Sequence, residues 1–508
     1  MQIFLNLFKI KLLRLICLII ISISSVSASS YDLADTDQSL CFDTLELITP
    51  PQPGEPFYGQ DAQFDGLLPS YTDNGDGTVT DNNTGLMWVK ELAEDKMTWD
   101  DAMAGADTCT VGGYNDWRLP TIKELYSLIL FSGTDPSGPD PDNLIPFLDT
   151  AYFEFRYGDT LSGERLIDAQ YWSSTVYRGL TMNGDSTAFG VNFADGRIKG
   201  YPKDLVGPPG QQFQMTSFVR YVRGSSYGQN QFQDNGDGTV TDLATGLMWQ
   251  KADDGVGRNW EQALVYAESL ELGGYDDWRL PNAHELQSIV DYTRSLQATG
   301  SPAIDTVFIC TEIIDEGGGT NYGFYWTGTT HKSSNNQNMG TFAVYISFGE
   351  ALGWMMTPDS LNWMLWDVHG AGAQRSDPKC GDPSQYPHGH GPQGDVVRIY
   401  NLVRCVRDVS VGVNERSYHD PGGSQPLQVI ENVVSPSSVV FRYNLKADSP
   451  VVFSIYDLSG REITTLINGQ VKSGQGEITW NSEGICSGMY FGVMKTSYSI
   501  FTINFILI

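Results

Sequence analysis

Six aspartates in two matching turns are the residues best typed for metal chemistry. Asp73, Asp76 and Asp81 lie in Asp73-Asn-Gly-Asp-Gly-Thr-Val-Thr-Asp81, and Asp234, Asp237 and Asp242 hold the same places in an identical nonapeptide. Carboxylates so spaced could offer hard oxygen ligands to calcium. An EF-hand loop needs ligands at its third and fifth positions, and Gly75 and Gly77 stand there. The competing reading is turn chemistry, in which Asp and Asn side chains accept from backbone N–H groups a few residues on; the pattern favours it. His388-Gly-His390 near Cys380 could ligate a transition metal. Its Gly/Pro-rich surroundings read rather as a surface loop. Asp116-Trp117-Arg118-Leu119-Pro120 and its copy Asp277 to Pro281 could form a sugar platform, with a Trp face on C–H groups and Arg as donor. The structural reading makes Trp88, Trp117, Trp249 and Trp278 core residues, pairs Asp with Arg118 or Arg279, and lets Pro120 and Pro281 fix the start of a helix. Catalysis finds no comparable set. Residues 71–224 contain no His, so no Ser/His/Asp arrangement recurs, and no carboxylate pair stands out. The expectation is a protein without catalytic residues.

These motifs sit in a duplicated scaffold. Between positions 73 and 127, 29 of 55 residues are identical at an offset of 161, without a gap. That identity marks two homologous units, and the period is too long for a solenoid. In each, the Asn-Gly-Asp-Gly turn and the Thr-Gly pair bound two short strands of a hairpin. Thr98 caps a short helix ending near Asp107. Thr121 with Glu124, and Asn282 with Glu285, form capping boxes for a second helix faced by Leu125, Leu128 and Ile129. Aromatic strands follow at 171–176, 188–193 and 218–222. The copies diverge mainly at 132–142, 177–186 and 354–394. Divergent rims on a shared scaffold suit ligand recognition.

The chain has 508 residues, 41% hydrophobic and 18% charged, with 54 Gly, which describes a folded, loop-rich protein. Its formal charge is −30. Residues 1–28 hold Lys9, Lys11 and Arg14 before an apolar run and Val26-Ser27-Ala28, the layout of a cleaved secretory signal. Such acidity argues against nucleic acid, anionic lipid and sulfated polysaccharide. Beyond the signal lie Cys41, Cys109, Cys310, Cys380, Cys405 and Cys486, with no C-x-x-C. Export permits disulfides, but the spacing assigns none. No later apolar stretch is long enough for a membrane helix.

The ordered motifs DNGDGTVTD, TGLMW, GYxDWRLP and VRxVR resemble the Lcl C-terminal domain family over 71–224 and 232–408. The resemblance implies a C-type-lectin-like fold and an adhesin-like role, its named member binding glycosaminoglycans; the acidity here departs from that ligand. A family cysteine pair is half kept, with Cys109 facing Tyr221 and Leu270 facing Cys405. Residues 433–508 read as six short strands. Val452-x-Phe-Ser-Ile-Tyr-Asp-Leu-Ser-Gly-Arg-Glu462 and Ser487-Gly-Met-Tyr-Phe491 resemble a type IX (Por) secretion C-terminal sorting domain, which implies that export machinery as partner. The expected fold is α+β: two C-type-lectin-like domains in tandem, then a small all-β immunoglobulin-like sandwich. The expected organisation is signal 1–28, a Pro/Asp-rich extension 29–70, the two copies, a linker 409–432 and the sorting domain. The function expected is a secreted or surface-bound lectin-like binder of glycan or another surface ligand, with calcium as the only candidate cofactor. The alternatives are an oxidative enzyme related to formylglycine-generating enzymes and a structural envelope protein.

Overall fold

The computed structural model describes residues 30–136, 143–182, 184–207, 212–357, 362–409 and most of 427–507. The expected signal at 1–28, Cys486, most of the linker and parts of the divergent segments (137–142, 183 and 358–361) lie outside the described residues. The chain forms two compact units, Met1–Arg407 and Asp408–Ile508.

In the first copy the elements are β1 (Tyr71–Asp73), β2 (Thr78–Asp81), β3 (Met87–Val89), α1 (Trp99–Ala106), α2 (Ile122–Tyr126), β4 (Gln170–Val176), β5 (Thr187–Asn192), β6 (Arg197–Pro202) and β7 (Val222–Arg223). The second has β8 (Phe232–Asp234), β9 (Thr239–Asp242), β10 (Leu247–Gln250), α3 (Trp260–Glu268), α4 (Ala283–Ser288), β11 (Phe324–His331), β12 (Phe342–Ser347), β13 (Leu352–Met356), β14 (Trp363–Asp367), β15 (Gln374–Pro378) and β16 (Val406–Asp408). Each copy closes its opening meander with its own last strand, giving the orders β7–β3–β2–β1 and β8–β9–β10–β16. The registers match, with Val79 opposite Trp88 and Val240 opposite Trp249. Both capping boxes form: Thr121 and Asn282 accept from the N–H of Glu124 and Glu285, whose carboxylates accept in return.

The remaining strands join the copies. One six-stranded sheet runs β11–β12–β15–β6–β5–β4, three strands from each copy, with Gln374 opposite Ile198 at the seam. This corrects the expected fold class. The protein is mainly β, 36% strand and 11% helix, in several small sheets, rather than α+β with two C-type-lectin-like domains. The capped segments do become helical, but α2 and α4 span only five and six residues. The aromatic stretches expected at 171–176 and 188–193 go into strands, whose pleated, half-buried faces suit such residues, whereas the one at 218–222 gives only the bridge at Phe218 and the two-residue strand Val222–Arg223. Independent lectin-like domains would also not share a sheet.

The N-terminal extension is packed into the first unit. Gln38 donates to Thr330 O and accepts from Thr330 N, both at 2.7 Å. Asp61 is buried and accepts from the hydroxyls of Thr36 (2.7 Å) and Thr329 (2.6 Å). Burial raises its carboxyl to about 7, and the charge of Asp35 adds to the rise.

The second unit packs a three-stranded sheet (Leu427–Val429, Val439–Leu445, Gly474–Trp480) and a five-stranded one containing Ser449–Asp457, Glu462–Val471, Gly488–Lys495 and Ile500–Leu507. Alternate residues point inward, as the two-residue period of a strand requires: Val439 with Phe441, and Val451 with Phe453 and Ile455, are buried beside Trp480 and Met494. No helix among the described residues is long and apolar enough to cross a membrane.

Candidate binding cleft

A cleft of about 310 Å³ opens along the seam of the shared sheet. Strands β6 and β15 supply its floor through Arg197, Lys199, Tyr201, Arg375 and Asp377. Arg197, Lys199 and Tyr201 alternate along β6, so the strand period puts them on one face, and Asp195 reaches them from the turn that precedes the strand. Each divergent segment contributes to the wall: Asp135 from the first, Met182 and Asp185 from the second, His390 to Gln393 from the third. Phe213, Met215 and Phe342 add apolar surface.

The charges within it are paired. Arg197 Nη2 lies 2.6 Å from Asp135 and donates to Ser376 Oγ of the other copy at 3.2 Å. Lys199 lies 2.6 Å from Asp195. Asp395 accepts from His369 Nε2 at 2.8 Å and from Arg375 Nε at 2.9 Å. Burial alone would raise the Asp395 carboxyl, yet Arg375 and His369 hold it far below the carboxylate range. Burial, with Arg197 nearby, lowers His331 to about 4, and burial lowers His369 to about 4 despite Asp395. Both imidazoles are neutral at pH 7. Asp377, buried, is raised to about 6. The floor is an internally neutralised polar surface. Near the mouth, Arg165 is 58% exposed at its side chain beside Asp168, and Phe213 is 59% exposed. Arg165 is paired with Asp168 at 2.6 Å, and both it and Phe213 present surface to solvent there.

The sequence-predicted residues lie elsewhere. Asp73 accepts from Gly75 N and pairs with Lys90; Asp76 accepts from Thr78 N and Oγ; Asp81 is buried and holds Asn83 N and the Thr84 hydroxyl. Asp234 and Asp237 repeat these bonds, and Asp242 holds Gln231 N, Ala244 N and the Thr245 hydroxyl. Among the described residues no three His, Cys, Asp or Glu converge as metal ligands. His388 stacks on Trp363 at 4.1 Å, while Cys380 is an exposed free thiol. Cys41, Cys109, Cys310 and Cys405 are free as well.

Trp88, Trp117, Trp249 and Trp278 are buried. The ion pair expected inside the Asp-Trp-Arg motif is not the one formed. Arg118 and Arg279 reach forward to the capping-box carboxylates, Glu124 at 2.5 Å and Glu285 at 2.6 Å. Asp116 and Asp277 instead pair with Arg223 and Arg407 of the VRxVR strands, each at 2.6 Å. Arg118 and Arg279 each form a single bridge to the VRxVR segment, at Val222 and Val406, which brings Arg223 and Arg407 beside Asp116 and Asp277. Arg220 and Arg404, the first arginines of the same motif, are buried and donate to main-chain carbonyls such as Val89 O and Gln250 O.

The matched repeats now carry a family assignment. The chain belongs to the Lcl C-terminal domain family. The family model matches twice, over residues 77–223 and 238–368, more than half of the chain. The two Lcl C-terminal domains are therefore a tandem pair, and their shared sheet makes the cleft a property of the pair. No curated protein matches significantly. Among solved structures, one match is PorZ, an essential bacterial surface component of the type-IX secretion system of Porphyromonas gingivalis, at 15% identity and a TM-score of 0.13. It covers 74% of this chain and 50% of PorZ, so the chain spans half the length of that protein.

Proposed function

We propose that this is an exported, surface-exposed binding protein whose seam cleft takes a glycan or another uncharged polar ligand, and that it catalyses no reaction. The observation that carries this reading is the convergence of all three divergent segments on one cleft. Sequence differences gathered around one cleft of a duplicated scaffold tune recognition while leaving the fold intact. The lining suits sugars: aromatic and apolar surface for C–H faces, with fixed donors and acceptors for hydroxyls. Its floor charges neutralise one another, so the cleft has no need of an ionic ligand. The C-terminal unit, through its resemblance to type IX sorting domains, would serve export and attachment at the cell surface.

The test is a glycan array probed with the full chain, with and without calcium. Binding to a defined set of glycans is expected, equal in both conditions and weakened about tenfold by Phe213→Ala or Arg165→Ala, each a loss of one good contact. An array without hits, or hits indifferent to both substitutions, removes the reading.

A further inference from the structure

The two copies differ in what covers one equivalent face. In the second copy, residues 57–64 of the N-terminal extension lie across α3, the start of α4 and β11. Phe57 stacks on Trp260 at 6.4 Å, adopting a left-handed φ of 63° to do so. Asp61 accepts from the Thr329 hydroxyl at 2.6 Å. Phe64 lies over the Arg279 guanidinium at 5.3 Å. The backbone comes so close that a side chain on Gly328 would stand 3.1 Å from Asp61 N. Trp260 and Thr329 are fully buried, and the Arg279 side chain is 10% exposed.

The first copy keeps every receiving group. Trp99 donates to Ser173 O at 2.9 Å as Trp260 does to Thr327 O at 2.8 Å. Thr175 accepts from Ile122 N at 3.0 Å as Thr329 does from Ala283 N at 3.0 Å. Arg118 is held by Glu124 as Arg279 is by Glu285. Yet Trp99 and Thr175 are only half-buried, and the Arg118 side chain is 36% exposed. Among the described residues no carboxylate accepts from the Thr175 hydroxyl. Lys203 lies 5.2 Å over the Trp99 ring, as Lys379 lies 3.9 Å over that of Trp260, and one steric difference is Ser174, in the place of Gly328, whose hydroxyl donates to Pro120 O at 3.2 Å.

From this mismatch we infer that the face formed by Trp99, Arg118 and Thr175 is a second binding site, distinct from the cleft, for an extended segment of a partner protein in which a carboxylate lies between two aromatic side chains. The occupant's chemistry is that of residues 57–64, because the same groups receive that segment in the same chain. Trp99 takes one ring, Arg118 the other, and Thr175 donates to the carboxylate. The Ser174 side chain holds the partner backbone slightly farther from β4 than Asp61 lies from β11.

The probe is a fluorescent synthetic peptide of residues 54–65, titrated by anisotropy into the full chain. Saturable binding is expected. Thr175→Val should weaken it about tenfold, the effect of losing one charge-assisted hydrogen bond. The same loss should follow when the protein is unaltered and the peptide carries Asp61→Ala. Ser174→Gly, which restores the spacing of the second copy, should tighten binding, a gain that damaged folding cannot mimic. No binding, binding indifferent to the peptide aspartate, or binding sensitive to Thr329→Val but not to Thr175→Val would each overturn the inference; the last would mean exchange with the chain's own segment.

Discussion

Asp61→Asn should flatten the pH dependence of stability. Asp61 sits between the extension and the second copy, held by two threonine hydroxyls and surrounded by protein. Burial, reinforced by the charges of Asp35 and Glu285, raises its carboxyl from the ordinary 3.8 to about 7. The folded state therefore keeps a proton that the unfolded chain has lost over the window from about pH 4 to about pH 7. Unfolding releases that proton, so this group's contribution is fully present below pH 4, falls as pH rises to 7, and is flat above. Each pH unit of the window is worth about 1.4 kcal/mol, giving a ceiling of about 4 kcal/mol overall and about 3 kcal/mol between pH 4.5 and 8. Asparagine does not titrate there. Urea unfolding of the full chain at pH 4.5, 6 and 8, followed by tryptophan fluorescence, should give wild-type stability falling across the series more steeply than that of the variant, by about 3 kcal/mol. Asp35 titrates in both proteins, and its coupling to Asp61 is part of the difference read. Parallel curves would refute the assignment of a buried, protonated Asp61.

The glycine twins test the duplication. Gly112 and Gly273 have φ of 64°, and a Cβ on either would lie 2.8 Å from a threonine methyl, that of Thr78 or Thr239. Gly112→Ala and Gly273→Ala should each cost about 1–3 kcal/mol in chemical denaturation, by similar amounts; a harmless change at either site would contradict the tight packing. Asp395→Ala should cost about 3–5 kcal/mol at pH 7, because it strands the buried Arg375 and His369. Asp395 is held below the usual range, so its contribution is present above about pH 4 and lost as pH falls further; the variant's deficit in thermal melts should shrink in acid, and a constant deficit would count against the pairing. Calcium or a chelator should leave the melting temperature unchanged, since the turn aspartates already serve local N–H and hydroxyl donors. A clear rise with calcium would show that those carboxylates prefer the ion.

Whatever depends on neighbours in the chain was legible before any coordinates. The duplicated turns and both capping boxes follow from local bonding: an aspartate reaches N–H groups two residues away wherever the chain runs. The helices were legible as starts but not as lengths, because caps fix where a helix begins while packing fixes how far it extends. Long-range partners were not legible. Asp116 chooses Arg223, 107 residues on, over its near neighbour Arg118, and Asp135, Arg197 and Ser376 meet only when β6 and β15 pair. No periodicity in either copy announces that their sheets will join edge to edge, since an edge strand presents the same N–H and C=O groups to solvent or to a neighbour. Sequence alone thus determined that this chain holds two copies of one scaffold with dissimilar rims. Tertiary structure alone decided that the copies share a sheet, that the rims converge on one cleft, and that the N-terminal extension covers one of two equivalent faces. Bonds within a turn depend on spacing along the chain, whereas seams and covered faces depend on which surfaces are buried against each other.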